Sequence, residues 1–250
     1  MRVGQFIDIA SAQRLLPPGL VLTQQLHIPA QYGLAFDAED RRLVSGPVVK
    51  RLIRVIEARE SESWRDKWLS QLREMSKAAF HNVCRPLEFG AAGSDHVYLV
   101  FDWFPATLAQ QIPATGLVNP QVASSVLRQL VAGLEELHGR LGAHGGLCAE
   151  HVFVDSNPIS EESHVWIGGV ELGHLPHWTD GKRLVPNAYM SFPPEWQGTR
   201  REPSKGADVF ALGLLAVELL AGNNARTHIA ATPAKAAESA SRLLQQRGAW

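Results

Sequence analysis

The stretch His144-Gly145-Gly146-Leu147-Cys148-Ala149-Glu150-His151-Val152-Phe153-Val154 decides how the rest of this sequence is interpreted. Before it, apolar residues recur every three or four positions up to Leu137-His138, which is typical of an amphipathic helix. At its end, Val152-Phe153-Val154 is a short apolar run of the kind that forms a buried strand. The predicted order is therefore a long helix, a tight loop and a strand.

The amino-acid composition limits the classes of protein to which this chain can belong. Its 250 residues are 45% hydrophobic and 20% charged, enough for one large or two small domains with real cores. Basic and acidic residues nearly balance, 24 against 25, so no global charge points to nucleic acid or to an anionic membrane as partner. Only Cys84 and Cys148 are present, without metal-type spacing, which favours a reducing, cytoplasmic location. We expect no targeting or membrane-spanning segment, because no run approaches 18 apolar residues.

The first hundred residues predict a small sheet that is interrupted by one helix. Residues 1–19 are interpreted as a lead-in outside the core. Three short apolar runs between Leu20 and Ile53 predict three strands, and the period then changes to that of a helix over Arg59–Ala79. Two further strands are predicted at Arg85–Phe89 and Val97–Phe101, which gives the order β-β-β-α-β-β.

The second half predicts mainly helices. Asn119 followed by Pro120 is a favourable helix start, since Asn caps the first turn and Pro suits its first position. Gly222 is expected to end a strongly apolar helix. The elements predicted after the connector Asp102–Ala106 are a short helix over Leu108–Ile112, the long helix from Pro120 to His138, a hairpin of Val152–Val154 with Val165–Ile167, a buried helix over Ala207–Leu220, and an amphipathic helix over Pro233–Gln246.

Five motifs occur in this order at spacings that resemble those of the eukaryotic-type protein kinase superfamily. They are Val48-Val49-Lys50, Val97-Tyr98-Leu99-Val100-Phe101-Asp102-Trp103, Leu137-His138 followed by His144, Phe192-Pro193-Pro194-Glu195, and Ala207–Gly213 with Glu218–Gly222. The resemblance implies an α+β, bilobal fold. Its small antiparallel β N-lobe with one helix would cover residues 20–101, its hinge 102–107, and its mainly α C-lobe 108–250. The residues after Glu195 are too few for a full set of terminal helices, so we expect either a shortened C-lobe or a sequence that is a fragment of a longer chain.

The same resemblance implies that the catalytic positions are degenerate. In the kinase catalytic loop, H-R-D-L-x-x-x-N, the Asp is the base and the Asn holds a metal. Those positions are Gly146 and His151 here, and the metal-holding Asp of D-F-G falls on Gly169. Between Leu26 and Phe36 only Gly33 is left of the phosphate-covering glycine loop. We therefore expect no catalytic residue and no metal site, with Glu171 as the nearest carboxylate that would substitute.

Lys50 is the one chemical group of the family that the sequence retains. The carboxylate that would hold it falls on Gln71 or Leu72, with Glu74 off by about half a turn. Lys50 is therefore either a nucleotide contact or a solvated surface lysine, and both interpretations stay open. Phe101, a bulky ring at the gatekeeper position, favours an empty cleft.

Two other kinds of chemistry receive little support. Ten histidines invite a metal hypothesis, but no H-x-x-x-H and no Cys/His pair of the structural-zinc type is present. A nucleophilic Cys148 with His151 as its base is not favoured, because three residues of separation do not form a known dyad. Trp103, Trp178 and Trp196 fall in predicted loops, where large rings often anchor partners.

The sequence thus predicts a pseudokinase that binds a protein partner, without cofactor and without magnesium-dependent phosphoryl transfer. Two alternatives stay open. One is a switch that binds ATP without metal through Lys50, and the other is an atypical transferase that uses Lys50, His151 and Glu171. The segment Gly173–Phe192, with Thr179 and Ser191, is the predicted recognition surface.

Overall fold

The computed structural model of the chain describes residues 8–26, 34–42, 46–58, 62–114, 117–173, 203–222, 224–225 and 233–246. Its contacts divide the chain into two compact units. The first unit comprises residues 1–78 and 85–103, and the second comprises 79–84 and 104–250. The fold is α+β, with antiparallel sheets and several helices.

The first unit is built on a five-stranded antiparallel sheet of order β1-β2-β3-β5-β4. Its strands are β1 (Leu20–Gln25), β2 (Leu34–Asp40), β3 (Val49–Glu57), β4 (Glu88–Ala92) and β5 (His96–Asp102), and helix α2 (Glu62–Lys77) follows β3. The predicted order of strands and helix is confirmed. β4 begins three positions later than predicted, after Pro86, which has no N–H to donate to a ladder.

A short N-terminal helix, α1 (Ile9–Gln13), corrects the interpretation of residues 8–19 as a lead-in outside the core. The Asp8 carboxylate accepts a hydrogen bond from Ser11 N at 2.7 Å and caps this helix. Ala12 is fully buried in the cluster that holds Leu20 and Phe36. The Gln13 amide donates to Leu20 O at 2.8 Å and accepts from Leu22 N at 2.7 Å, so it covers part of the β1 edge. A helix of five residues is too short to give a periodic signal in the sequence.

The second unit combines a three-stranded sheet with helices. The sheet has the order β6-β7-β8, and both of its pairings are antiparallel. The elements are β6 (Ala106–Thr107), α3 (Leu108–Gln111), α4 (Pro120–Arg140), β7 (Val152–Val154), β8 (Val165–Ile167), α5 (Val170–Gly173), α6 (Lys205–Ala221) and α7 (Pro233–Gln246). Asn119 caps α4 as predicted, and its side chain accepts from Gln121 N at 2.9 Å. Strand β6 was missed because two residues carry no pattern.

Residues 79–84 belong to the second unit, although they lie within the range 20–101 that the sequence assigned to one lobe. Cys84 N donates to Ile167 O, and Ile167 N donates to Asn82 O, each at 2.8 Å. The Asn82 amide also donates to Val165 O at 2.9 Å. These bonds attach the segment to β8 as a short parallel bridge at Val83.

Within the described residues, no helix has both the length and the apolar character needed to cross a membrane.

Candidate functional site

The loop at His144 is held by a carboxylate from the first turn of α6. Ser204 caps α6, and its hydroxyl accepts from Ala207 N at 3.0 Å. Asp208 is then buried in the first turn. Its Oδ2 accepts from His144 N at 2.7 Å and its Oδ1 from Gly145 N at 2.9 Å. His138 Nε2 lies 2.8 Å from the same carboxylate, so α4, α6 and the loop converge on one side chain.

The His144 ring fixes the loop on its other side. Gly146 N donates to His144 Nδ1 at 3.1 Å, so Nδ1 carries no proton. Nε2 lies 2.9 Å from the carbonyl oxygen of Gly168 and must therefore carry the proton that it donates there. His144 is therefore a fully buried residue that holds the loop through both ring nitrogens. Gly145 has φ +76°, a conformation that glycine adopts without strain.

The His151 imidazole brings the three degenerate positions together. The ring is fully buried, and its Nδ1 lies 2.8 Å from the carbonyl oxygen of Gly146, to which it donates. Gly169 has φ +81°, and a Cβ on it would lie 2.7 Å from His151 Cγ. The His151 ring therefore occupies the space that any side chain at position 169 would need.

A neighbouring aromatic cluster explains Gly168, the first glycine of the Gly168-Gly169 pair. Phe104 stacks on Phe153, with ring centroids 4.8 Å apart and an interplanar angle of 8°. Trp166 packs against Phe104 with a centroid distance of 5.1 Å. A Cβ on Gly168 would overlap the Phe153 ring. The Phe153 ring on β7 thus fills the space beside Gly168, as the His151 ring, which directly precedes β7, does beside Gly169.

Lys50 lies in the first unit and is exposed. Its Nζ is 4.5 Å from the centroid of the Trp103 ring, a cation–π contact, and Trp103 Nε1 donates to Asp37 Oδ1 at 3.1 Å. Neither predicted partner position on α2 carries a carboxylate. Gln71 is exposed, and Leu72 is packed in the core. Lys50 thus has the surroundings of a surface lysine, and its role in nucleotide binding stays a prediction.

Arg54, not Lys50, is the buried basic residue of β3. Its side chain is 1% exposed, and the strand's alternation places it on the same face as Lys50. A buried guanidinium keeps its charge and is tolerated only where counter-charges or acceptors surround it. The sequence analysis missed Arg54, although a basic residue inside the apolar run from Leu52 to Ile56 was the signal for it.

Asp208 is the second functional residue that the sequence analysis did not identify. Its position in an apolar segment was the signal, because a carboxylate in an otherwise apolar, buried helix requires hydrogen-bond donors.

Comparison with known proteins gave no relative: no family model and no curated protein matches this chain.

The part of the chain that the structure describes contains no preformed metal-binding site. There, no group of three or more His, Cys, Asp or Glu side chains is placed to hold an ion. Cys148 is buried, which does not suit a nucleophile that must meet a substrate. Glu171 is 3% exposed in α5.

Several predicted features fall outside the described residues. They are the glycine-poor stretch 27–33, the recognition segment beyond Gly173, Trp178, Trp196 and the motif Phe192–Glu195.

Proposed function

We propose that this chain is a pseudokinase, a bilobal kinase-like protein that acts as a protein-binding scaffold without magnesium-dependent phosphoryl transfer. The order of strands and helices supports the kinase-like arrangement. The observation that carries the loss of catalysis is the buried His151 ring, which donates to Gly146 O and packs on Gly169.

The residues at the three positions lack the chemical groups that phosphoryl transfer needs. Phosphoryl transfer by kinases requires a base for the acceptor hydroxyl and two side chains that hold metal ions. Gly146 and Gly169 have no side chain for either task. Hard Mg²⁺ prefers oxygen ligands, and the carbonyl oxygen of Gly146 already accepts a hydrogen bond from His151 Nδ1. All three positions are therefore committed to packing and to hydrogen bonds within the loop.

A thermal-shift experiment tests the proposal. The protein would be melted with ATP alone, with ATP and Mg²⁺, and with ATP and Mn²⁺, while a parallel assay follows transfer of labelled phosphate to protein or peptide. We expect no change in Tm and no labelled product, with an active kinase domain as the positive control. A metal-dependent rise in Tm together with product formation would overturn the proposal.

The same experiment separates the two alternatives. A rise in Tm with ATP alone that is lost in Lys50→Ala, but kept in the exposed control Lys67→Ala, would favour a metal-free nucleotide switch. Product formation that is lost on His151→Ala would favour an atypical transferase.

A further inference from the structure

An apolar groove of about 490 Å³ lies on the second unit between α4 and α6. Its floor consists of Pro120, Ala123, Leu127 and Val131 from α4, and Leu220 from α6. Ser124 and Arg128 form a polar rim on α4. Single exposed apolar residues are common on protein surfaces, but an aligned set with a groove is not.

The groove has the dimensions of a helix-binding surface. Ala123, Leu127 and Val131 recur every four residues and therefore lie in line along α4. From Pro120 to Val131 the line runs about 16 Å, the length of roughly three helical turns. Val131 is 43% exposed, so the far end is open to a partner. A straight, shallow apolar groove is the form that receives the apolar stripe of an amphipathic helix.

The adjoining side of α6 already binds a helix of this kind. Leu243 and Leu244 of α7 pack against Val217 and Ala221, and Leu220 borders that cluster. Leu220 also contributes to the floor of the groove. The groove therefore continues a surface whose neighbouring part is covered by an amphipathic helix of the chain itself.

The positive charge of Arg128 predicts a negatively charged residue on the occupant of the groove. Arg128 is exposed on the rim, and within the described residues it forms no ion pair. Ser124, one turn earlier on the same rim, offers a hydroxyl as a second donor. A carboxylate beside the apolar stripe of an incoming helix would meet both groups.

We propose that this groove binds an amphipathic helix of a partner protein, with apolar residues at i, i+4 and i+7 and an Asp or Glu opposite Arg128. The inference rests on the proposed scaffold function and names its surface. It does not depend on nucleotide chemistry. A negative result in the peptide experiment would therefore reject the groove, whereas ATP-dependent product formation would reject the loss of catalysis.

The experiment selects binders from a displayed library of 16-residue helical peptides with a stripe of varied apolar residues and one flanking position that is Glu, Gln or Lys. Selected peptides are then measured by fluorescence anisotropy against the full chain. We expect binders enriched in Glu, with affinity falling at least tenfold in Val131→Asp. In Arg128→Glu, binding of the Glu peptides should fall and that of matched Lys peptides should rise.

Val209→Asp is the matched control, because Val209 is 62% exposed on α6 and does not line the groove. Circular dichroism of each variant checks folding, and the charge exchange at exposed Arg128 keeps the test valid if Val131→Asp unfolds. Failure to recover binders, or binders insensitive to both groove variants, would overturn the proposal. A wild-type dimer in sedimentation that Val131→Asp dissociates would also overturn it, by assigning the groove to a second copy.

Discussion

At the scale of single residues, His151 and Gly169 depend on one another. The imidazole lies where a β-carbon of residue 169 would be, and the backbone of Gly169 is in the left-handed region. The resemblance to protein kinases predicted that neither position carries a catalytic or metal-holding group. The sequence could not show that the His151 ring fills the space beside Gly169, because that contact depends on the three-dimensional path of the loop.

Gly169→Ala should be strongly destabilising. The new Cβ meets the His151 ring, and alanine is strained at φ +81°, so we expect a loss of roughly 2–4 kcal/mol in the free energy of unfolding. Urea denaturation measures it. In the background of His151→Ala the clash is gone, and the same substitution should cost about 1–2 kcal/mol, which is the backbone strain alone.

Gly139→Ala is the control for that prediction. A Cβ on Gly139 would meet nothing within 4 Å, and the residue lies inside α4, where alanine is favoured over glycine by up to about 1 kcal/mol. Gly139→Ala should therefore stabilise the protein. Equal costs for Gly169→Ala with and without His151 would contradict the contact between them.

At the scale of elements, the predictions made from periodicity were the most successful. Helix α4, the β7–β8 hairpin, and helices α6 and α7 all have apolar residues at regular spacing, or clear start and stop residues, and were predicted within a few positions. The missed elements, α1, β6 and α5, are too short for any periodic signal. Their placement depends on contacts such as the one between Gln13 and β1.

An ionic cluster that was not predicted from the sequence joins the end of β2 to β4. Arg42 Nη2 lies 2.7 Å from Asp40 Oδ2, and Arg42 Nη1 lies 2.7 Å from Glu88 Oε2. The Tyr98 hydroxyl donates to Glu88 Oε1 at 2.8 Å. Asp40 is only 12% exposed, so this cluster belongs to the structure rather than to the solvated surface.

The cluster predicts an acid-sensitive contribution to stability. Hydrogen bonds from Arg42 lower the pKa of Asp40 to about 2, against 3.8 for the free group. Because the folded state then binds the proton less readily than the unfolded state, the contribution is complete above about pH 4 and is lost as the pH falls towards 2. Asp40→Asn should cost about 2 kcal/mol at pH 7.

Urea denaturation of both proteins between pH 7 and pH 2.5 measures this contribution. The difference between wild type and Asp40→Asn should shrink across the acid range. Glu238→Gln, an exposed position on α7, serves as the control and should follow the wild-type curve. A difference that is constant with pH would show that the ionised Asp40 carboxylate contributes nothing.

At the scale of the whole molecule, the chain enters the second unit twice. Residues 79–84 join β8 and the chain then returns to the first unit at Arg85. A linear division of the sequence could not find this, because the segment's partners lie about 80 positions later. Apolar periodicity predicted most of the elements, and backbone pairing decided to which unit residues 79–84 belong.

Asn82→Ala tests this crossing. The Asn82 amide donates to Val165 O and to Gln129 Oε1, and the residue is 8% exposed, so its loss should cost about 2 kcal/mol. Hydrogen exchange should accelerate at the amides of Cys84 and Ile167, which form the bridge. His81→Ala is the control, since that side chain is 86% exposed. Unchanged exchange at both amides would mean that backbone bonds alone hold the segment.

The packing of His151 against Gly169 also restricts the order in which substitutions can accumulate. Introducing an aspartate at 169 first would force a side chain into the imidazole, whereas replacing His151 first would leave a buried gap beside a glycine. Each single change lowers stability before the other can relieve it. A variant with polar side chains at both positions can therefore be reached one substitution at a time only through a less stable intermediate.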